Sequence, residues 1–130
     1  MPISYRIDPA RSFIFTTASG TLTDDDILDL KRRLTKDPEF KAGMRELSDV
    51  RAVTDLRVTT QGVRSMVSED AKQSSTLHAY KLAIVAGADA VFGMARMYQM
   101  LTEANLPHVA VFRDYETAEQ WLGGPASPGP

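Results

Sequence analysis

The sequence predicts a single α/β domain: a mixed, mostly parallel five-stranded sheet with about four helices. Three observations carry this prediction. Two short strand-like segments flank the turn signal "DPARS" near the N-terminus. After "DPEFKAG", strand-like and helix-like patterns alternate three times. The 130-residue length suffices for one core and is too short for a second.

The first strand is "ISYRI", Ile3 to Ile7, where apolar and polar residues alternate as in a half-buried strand. The second is "FIFTTAS", Phe13 to Ser19, rich in aromatic and β-branched residues, and the short Asp-Pro loop between them predicts an antiparallel hairpin. Gly20 marks the change to helix. Thr23 is a natural N-cap, and Asp24, Asp25 and Asp26 fill a first turn where the helix dipole favours negative charge. Leu22 and Ile27 occupy the positions of a hydrophobic staple, and Ile27, Leu30 and Leu34 continue one apolar stripe. Neighbouring helical side chains diverge and calcium-loop spacing is absent, so the aspartate triplet reads as capping and not as a metal site.

"MRELSDV", Met44 to Val50, is the next strand, and its helix begins at Thr59 or Thr60, with Val63, Met66, Val67 and Ala71 at helical spacing. "KLAIVA", Lys81 to Ala86, is almost uninterruptedly apolar, as befits a strand covered on both faces. A helix from about Ala90 to Ala104 follows, with Asp89 as cap and Asn105 and Pro107 as stop signals. "HVAVF", His108 to Phe112, is the last strand, and Asp114 caps a short helix through Leu122. Ile84, Val85, Val109, Val111 and Phe112 are expected in the core. The domain is assigned to residues 1–122, and the tail 123–130, "GGPASPGP", is expected to be disordered.

Bulk properties narrow the function. A formal net charge of −2 with scattered basic residues gives no electrostatic case for nucleic acid. The densest basic group, Lys31-Arg32-Arg33, reads as a solvated helix face. The chain has no cysteine, hence no disulfide framework or thiolate chemistry. The N-terminus lacks a secretion signal's apolar core and no apolar run reaches membrane-spanning length, which makes the cytoplasm the default expectation.

The opening "GTLTDDDILDL", "DPEF", "LSDVRAVTD", "KLAIVA…FGMARMYQML" and "VFRDYETAEQWL" together resemble a family of small bacterial STAS-like proteins, the SpoIIAA-like or STAS/SEC14 group. The likeness runs from Ile3 to Leu122. It implies a regulatory or ligand-binding fold with no established reaction. Antagonists of this kind carry a phosphorylatable serine in an Asp-Ser-Ser-Gly-like segment at the start of the helix after the central strand. The corresponding stretch here is "TDLRVTTQGV", in which Thr59, Thr60 and Gly62 keep the hydroxyls and glycine without the preceding aspartate. Capping is therefore the expected role of these threonines, and phosphorylation the less favoured one.

No recognisable catalytic constellation stands out. His78 and His108 belong to no metal-ligand spacing and read as strand-edge residues. There is no G-x-S-x-G elbow, Walker loop or G-x-G-x-x-G segment. The carboxyl edge of the sheet, where open α/β folds bind ligands, gathers Asp49 and Arg51, then Asp55, Arg57, Thr59 and Thr60 in the following loop, with Gly87, Asp89, Arg113 and Asp114 beyond. Salt bridges are the favoured reading of these charges. Asp89 would repel phosphate at the helix start, so Gly93 is assigned to close helix–sheet packing. Val91, Ala95, Tyr98 and Leu101 or Thr102 form a core stripe, leaving Met94, Met97 and Met100 partly on a flank. Core filling is the plain reading of the methionines; an interface or lipophilic groove is the sharper one.

The expectation is thus a non-catalytic STAS-like regulatory or protein-interaction module without cofactor or metal, meeting a homodimer mate or another protein. The alternative is a carrier or sensor that holds a small lipophilic or anionic ligand between helices and sheet.

Overall fold

The computed structural model describes residues 2–123. Five strands, β1 (Ile3–Asp8), β2 (Phe13–Thr23), β3 (Arg45–Arg57), β4 (Lys81–Val85) and β5 (His108–Phe112), form one sheet in sequence order. β1 runs antiparallel to β2, and the remaining neighbours are parallel. The helices are α1 (Asp24–Lys36), α2 (Thr60–Lys72), the four-residue α3 (Ser74–Leu77), α4 (Asp89–Leu101) and α5 (Tyr115–Trp121). The predicted fold class is thereby found. The predicted disordered tail lies outside the described residues, apart from Gly123.

Period-two alternation splits the sheet's side chains between two cores. Ile14, Leu82, Ile84 and Val109 face one way and meet Leu30 and Leu34 of α1, Val63 and Met66 of α2, and Val91, Ala95 and Tyr98 of α4. Phe13, Leu47, Ala83 and Val85 face the other way and meet Ala118 and Leu122 at α5. β4 is buried on both faces, as its unbroken apolar run requires. Burial of each large apolar side chain contributes on the order of 1.5–3 kcal/mol. Val111 and Phe112 are only half-buried, because β5 is the sheet edge.

Several boundaries differ from the sequence reading. β2 does not end at Ser19 with Gly20 marking the change to helix; it runs through Gly20 to Thr23, paired with β3. β3 does not stop at Val50. It continues to Arg57 beside the long β2, with register shifts between Thr17 and Ser19 and between Gly20 and Thr21. Asp55 and Arg57 therefore lie in a strand and not in a loop. Pairing with β2 along one edge holds this mostly polar extension, so it needs no apolar run. α4 differs as well, beginning at Asp89 with Ala88 as cap residue and ending at Leu101.

Local chemistry fixes α1 as expected. Thr23 and Asp26 form a reciprocal capping box: Asp26 N–H donates to Thr23 Oγ1 at 3.2 Å and Thr23 N–H to Asp26 Oδ2 at 2.9 Å. Asp24 does something else. Its carboxylate reaches the start of α2, accepting from Thr59 N–H at 2.9 Å and from the Thr59 hydroxyl at 2.7 Å. Thr59 Oγ1 in turn accepts from Gly62 N–H at 2.9 Å. A Cβ on Gly62 would lie 1.9 Å from Asp24 Oδ1, so only glycine leaves room for that carboxylate.

Candidate functional site

The carboxyl edge of the sheet brings the predicted charged residues near one another but commits them to local pairs. Arg51 donates to both Asp49 oxygens, from Nε at 2.9 Å and Nη2 at 2.8 Å. That hydrogen bonding holds the Asp49 carboxyl below its ordinary range against the opposing effect of burial. The Arg51 guanidinium also lies 5.2 Å from the Tyr115 ring centre. Arg57 Nε donates to Asp55 at 2.9 Å. Across the edge, Arg113 donates to Gly87 O at 2.9 Å and Asp89 at 2.8 Å, and Asp114 caps α5 through both Thr117 groups. These pairs are largely solvent-facing and each contributes little to stability. Asp89, expected as a cap, instead holds Arg113.

Thr59 and Thr60 share a helix start but not an environment. The hydroxyl of Thr59 is engaged twice, with Asp24 and with Gly62 N–H. A phosphate on Thr59 would meet the Asp24 carboxylate at hydrogen-bond distance, a like-charge clash. The helix N-terminus is thus already supplied with an anion by α1. Gly93 is exposed and a Cβ there would meet nothing within 4 Å, so its assignment to close helix–sheet packing is overturned. Close approach falls to Gly87 instead, where a Cβ would lie 3.2 Å from Arg51 O. His78 and His108 are both exposed.

The helix-covered face of the sheet contains a different kind of site. Between α1, α2, α4 and the sheet lies a cavity of about 160 Å³. Its walls include Leu30, Leu34, Val63, Met66, Leu82, Ile84, Val91, Ala95 and Leu106. Met94 also lines it and is half-buried, Met97 packs against the same core, and Met100 is 64% exposed. The three methionines, treated as one flank, thus divide by depth.

Two polar clusters border this apolar space. In the first, Asp70 of α2 accepts from Lys31 Nζ of α1 at 2.9 Å, from the Tyr98 hydroxyl of α4 at 2.5 Å, and from the Thr102 hydroxyl at 2.8 Å. Lys31 Nζ also donates to the Tyr98 oxygen at 2.9 Å. Asp70 is 4% exposed and Thr102 fully buried. Burial works to lower the Lys31 ammonium pKa, but Tyr98 and Asp70 reverse that and raise it, so the lysine stays charged. Burial is the foremost cause raising the Tyr98 phenol, which stays neutral.

The second cluster lies on the sheet. Glu46 of β3 accepts from Thr16 Oγ1 at 2.9 Å and from the Tyr80 hydroxyl at 2.5 Å. Burial pushes the Glu46 carboxyl up from its ordinary value; the two hydrogen bonds and Lys31 oppose that push, and Asp70 adds to it. Burial pushes the Tyr80 phenol well above its ordinary value, and neighbouring Glu46 adds to the shift.

Lys31, assigned to a solvated helix face, is the principal correction here. Only Arg32 and Arg33 fit that assignment, pairing with Glu69 and Asp29 near the surface. Lys31 is inward because α1 presents positions 27, 30, 31 and 34 to the core, the i, i+3, i+4, i+7 stripe. Asp70 occupies the matching position after Val63, Met66 and Val67, and Tyr98 the one after Val91 and Ala95. Glu46 shares its face of β3 with Ser48, in phase with Met44 just before the strand. A charged residue at a core phase was the available signal for all of them except Tyr98, whose place in the core stripe was expected.

No protein-family model matches the chain, and no curated protein matches it. Among solved structures, it resembles an uncharacterized DUF3478-family protein from Shewanella loihica PV-4, described as having a SpoIIAA-like fold. The two share 18% identity, with 92% of this chain and 93% of that one covered, at a TM-score of 0.57. The fold is SpoIIAA-like. That agrees with the fold implied by the resemblance read from the sequence. The Thr59–Gly62 turn, which the sequence resemblance matched to the antagonists' phosphorylatable segment, is filled here by the Asp24 carboxylate. Among the described residues, no helix is long and apolar enough to cross a membrane.

Proposed function

We propose that this SpoIIAA-like chain is a non-catalytic module that senses or carries a small lipophilic molecule inside its helix–sheet core. One observation carries the reading: the cavity of about 160 Å³ with apolar walls and charged groups at its border. Cores are close-packed, and voids larger than a water are few. An apolar cavity of roughly 150 Å³ is known to take up a benzene-sized guest. Leaving such a space unfilled costs stability, and a guest recovers it.

The test is a melting-temperature screen against small apolar compounds, alongside an Ala95→Leu variant that fills the cavity from α4. Compounds that stabilise the wild type should lose their effect in the variant. If nothing stabilises the wild type and Ala95→Leu simply raises its melting temperature, the space is a packing defect and the reading fails.

A second reading, a protein-interaction surface, rests on the adjacent Met100 and Leu101, 64% and 43% exposed at the end of α4. Met100→Glu is expected to leave the fold intact and to weaken self-association in sedimentation velocity. Met97→Glu is expected to destabilise the monomer itself, because Met97 packs on the core. A wild type that sediments as a monomer at all concentrations removes the self-association version.

A further inference from the structure

We infer that the occupant of the helix–sheet cavity is a neutral molecule about one ring in size that presents an acceptor oxygen to Lys31. This inference rests on the cavity-binding reading above and narrows it to a ligand class. Three features of the cavity converge on it.

Size comes first. A space of about 160 Å³ matches a single ring and not an acyl chain. Charge comes second. Among the described residues Lys31 is the one ammonium bordering the cavity, and Asp70 already neutralises it at 2.9 Å. A second buried carboxyl, Glu46, stands near enough to interact with both. An anionic guest would bring a third acid to one base. A cationic guest would add a second ammonium beside Lys31, and the one acid without a base, Glu46, already has both oxygens engaged by Thr16 and Tyr80. Either would bury a charge with no free partner. A neutral guest adds none.

Hydrogen bonding comes third. An ammonium has three donors and accepts nothing. Lys31 spends one on Asp70 Oδ1 and one on the Tyr98 oxygen. Its third N–H has no protein acceptor among the described residues, and a ligand hydroxyl or carbonyl oxygen supplies one. Asp70, by contrast, already accepts from three donors and has little left to offer a ligand.

The experiment uses ligands that share one ring and differ in charge, titrated into the wild-type protein at neutral pH and followed by calorimetry and amide chemical shifts. Benzyl alcohol and acetophenone represent the neutral class, benzoate the anion, benzylamine the cation and toluene the bare ring. The neutral oxygen-bearing ligands should bind, shift amides around Ala95 and Leu82, and lose binding in Ala95→Leu. Benzoate and benzylamine should bind about tenfold more weakly or not at all. A Lys31→Met, Asp70→Asn double variant that still melts cooperatively should lose the preference for acetophenone over toluene while still binding toluene. Should that variant not fold, the charge series on the wild type decides alone. Benzoate or benzylamine binding as tightly as benzyl alcohol, or toluene binding while the oxygen-bearing ligands do not, overturns this inference and leaves the cavity reading standing. If none of the five binds, both readings fall.

Discussion

At the scale of single residues, Glu46 is the group whose protonation the fold most directly contests. Burial raises its folded pKa above the ordinary 4.5. The sign of the linkage follows. The folded state holds its proton at pH values where the unfolded chain has released it, so stability falls as pH rises from about 4.5 through the folded value. Above that value the full cost of the buried carboxylate is present. Glu46→Gln removes the ionisation and retains groups that can bond Thr16 and Tyr80. Melting temperature plotted against pH should therefore fall less steeply in the variant over that window. Parallel curves for the two proteins would show that the Glu46 proton does not differ between folded and unfolded states.

Thr59 and Thr60 make a second comparison at this scale. Thr59→Ala removes an N-cap and is expected to cost about 1 kcal/mol. Thr60 is exposed at the first helical position, and Thr60→Ala should stay within about 0.5 kcal/mol of the wild type. Urea melts of both variants check this. Phosphopeptide mapping after incubation with cellular kinases should find neither residue stoichiometrically modified.

At the scale of elements, the junction between α1 and α2 is the most specific piece of construction. One carboxylate, Asp24, serves the start of a helix to which it does not belong, and Gly62 makes room for it. Gly62→Ala should expel that carboxylate and cost about 1–2 kcal/mol, the loss of a cap bond outweighing alanine's better helix propensity. In an Asp24→Ala background the same substitution should be harmless or stabilising. A double-mutant cycle reads the difference, and purely additive effects would mean that the two residues do not act on each other.

The helices also show what was and was not legible in sequence. α1 announced its start through Thr23 and three aspartates, and the α4 core stripe of Val91, Ala95 and Tyr98 was readable from spacing, with Thr102 and not Leu101 completing it. The second half of β3 was not readable. Arg51 to Arg57 shows no period-two apolar alternation, with only Val53 and Leu56 packed on the core, and β2 supplies its backbone pairing beyond the reach of β4. The polar cluster at the cavity went unread for a related reason. Lys31 and Asp70 are ordinary surface residues by type, and only their phase on two separate helices places them inside. Their meeting with Tyr98 depends on tertiary assembly, which no local pattern encodes. The edge charges were legible as a group, and the salt-bridge reading was the appropriate one for most of them.

At the scale of the whole molecule, the sheet is covered unequally. Three long helices and the cavity lie on one face; the seven-residue α5 lies on the other. The side that α5 covers is filled by Phe13, Leu47, Ala83 and Val85 and supports the strands beneath the cavity. Architecture at this level was the most legible part of the chain. Alternating patterns and the two crossovers into apolar strands constrain topology strongly.

The cluster of Lys31, Asp70, Tyr98 and Thr102 has a consequence in time as well as in space. Lys31 and Tyr98 are 67 positions apart in the chain, and Lys31 and Asp70 are 39 apart. Contacts of that separation incur their loop-closure entropy before they return any energy, which makes them late events in folding. The knot therefore acts as a latch that closes after the sheet and its helices have come together. Tyr98→Phe, which keeps the ring and removes the shared hydroxyl, should leave the refolding rate nearly unchanged and speed unfolding several-fold, on the order of the loss of one or two buried hydrogen bonds. Stopped-flow chevrons of the two proteins would show the change in the unfolding arm; a change confined to the refolding arm would place the latch at the beginning of the process instead.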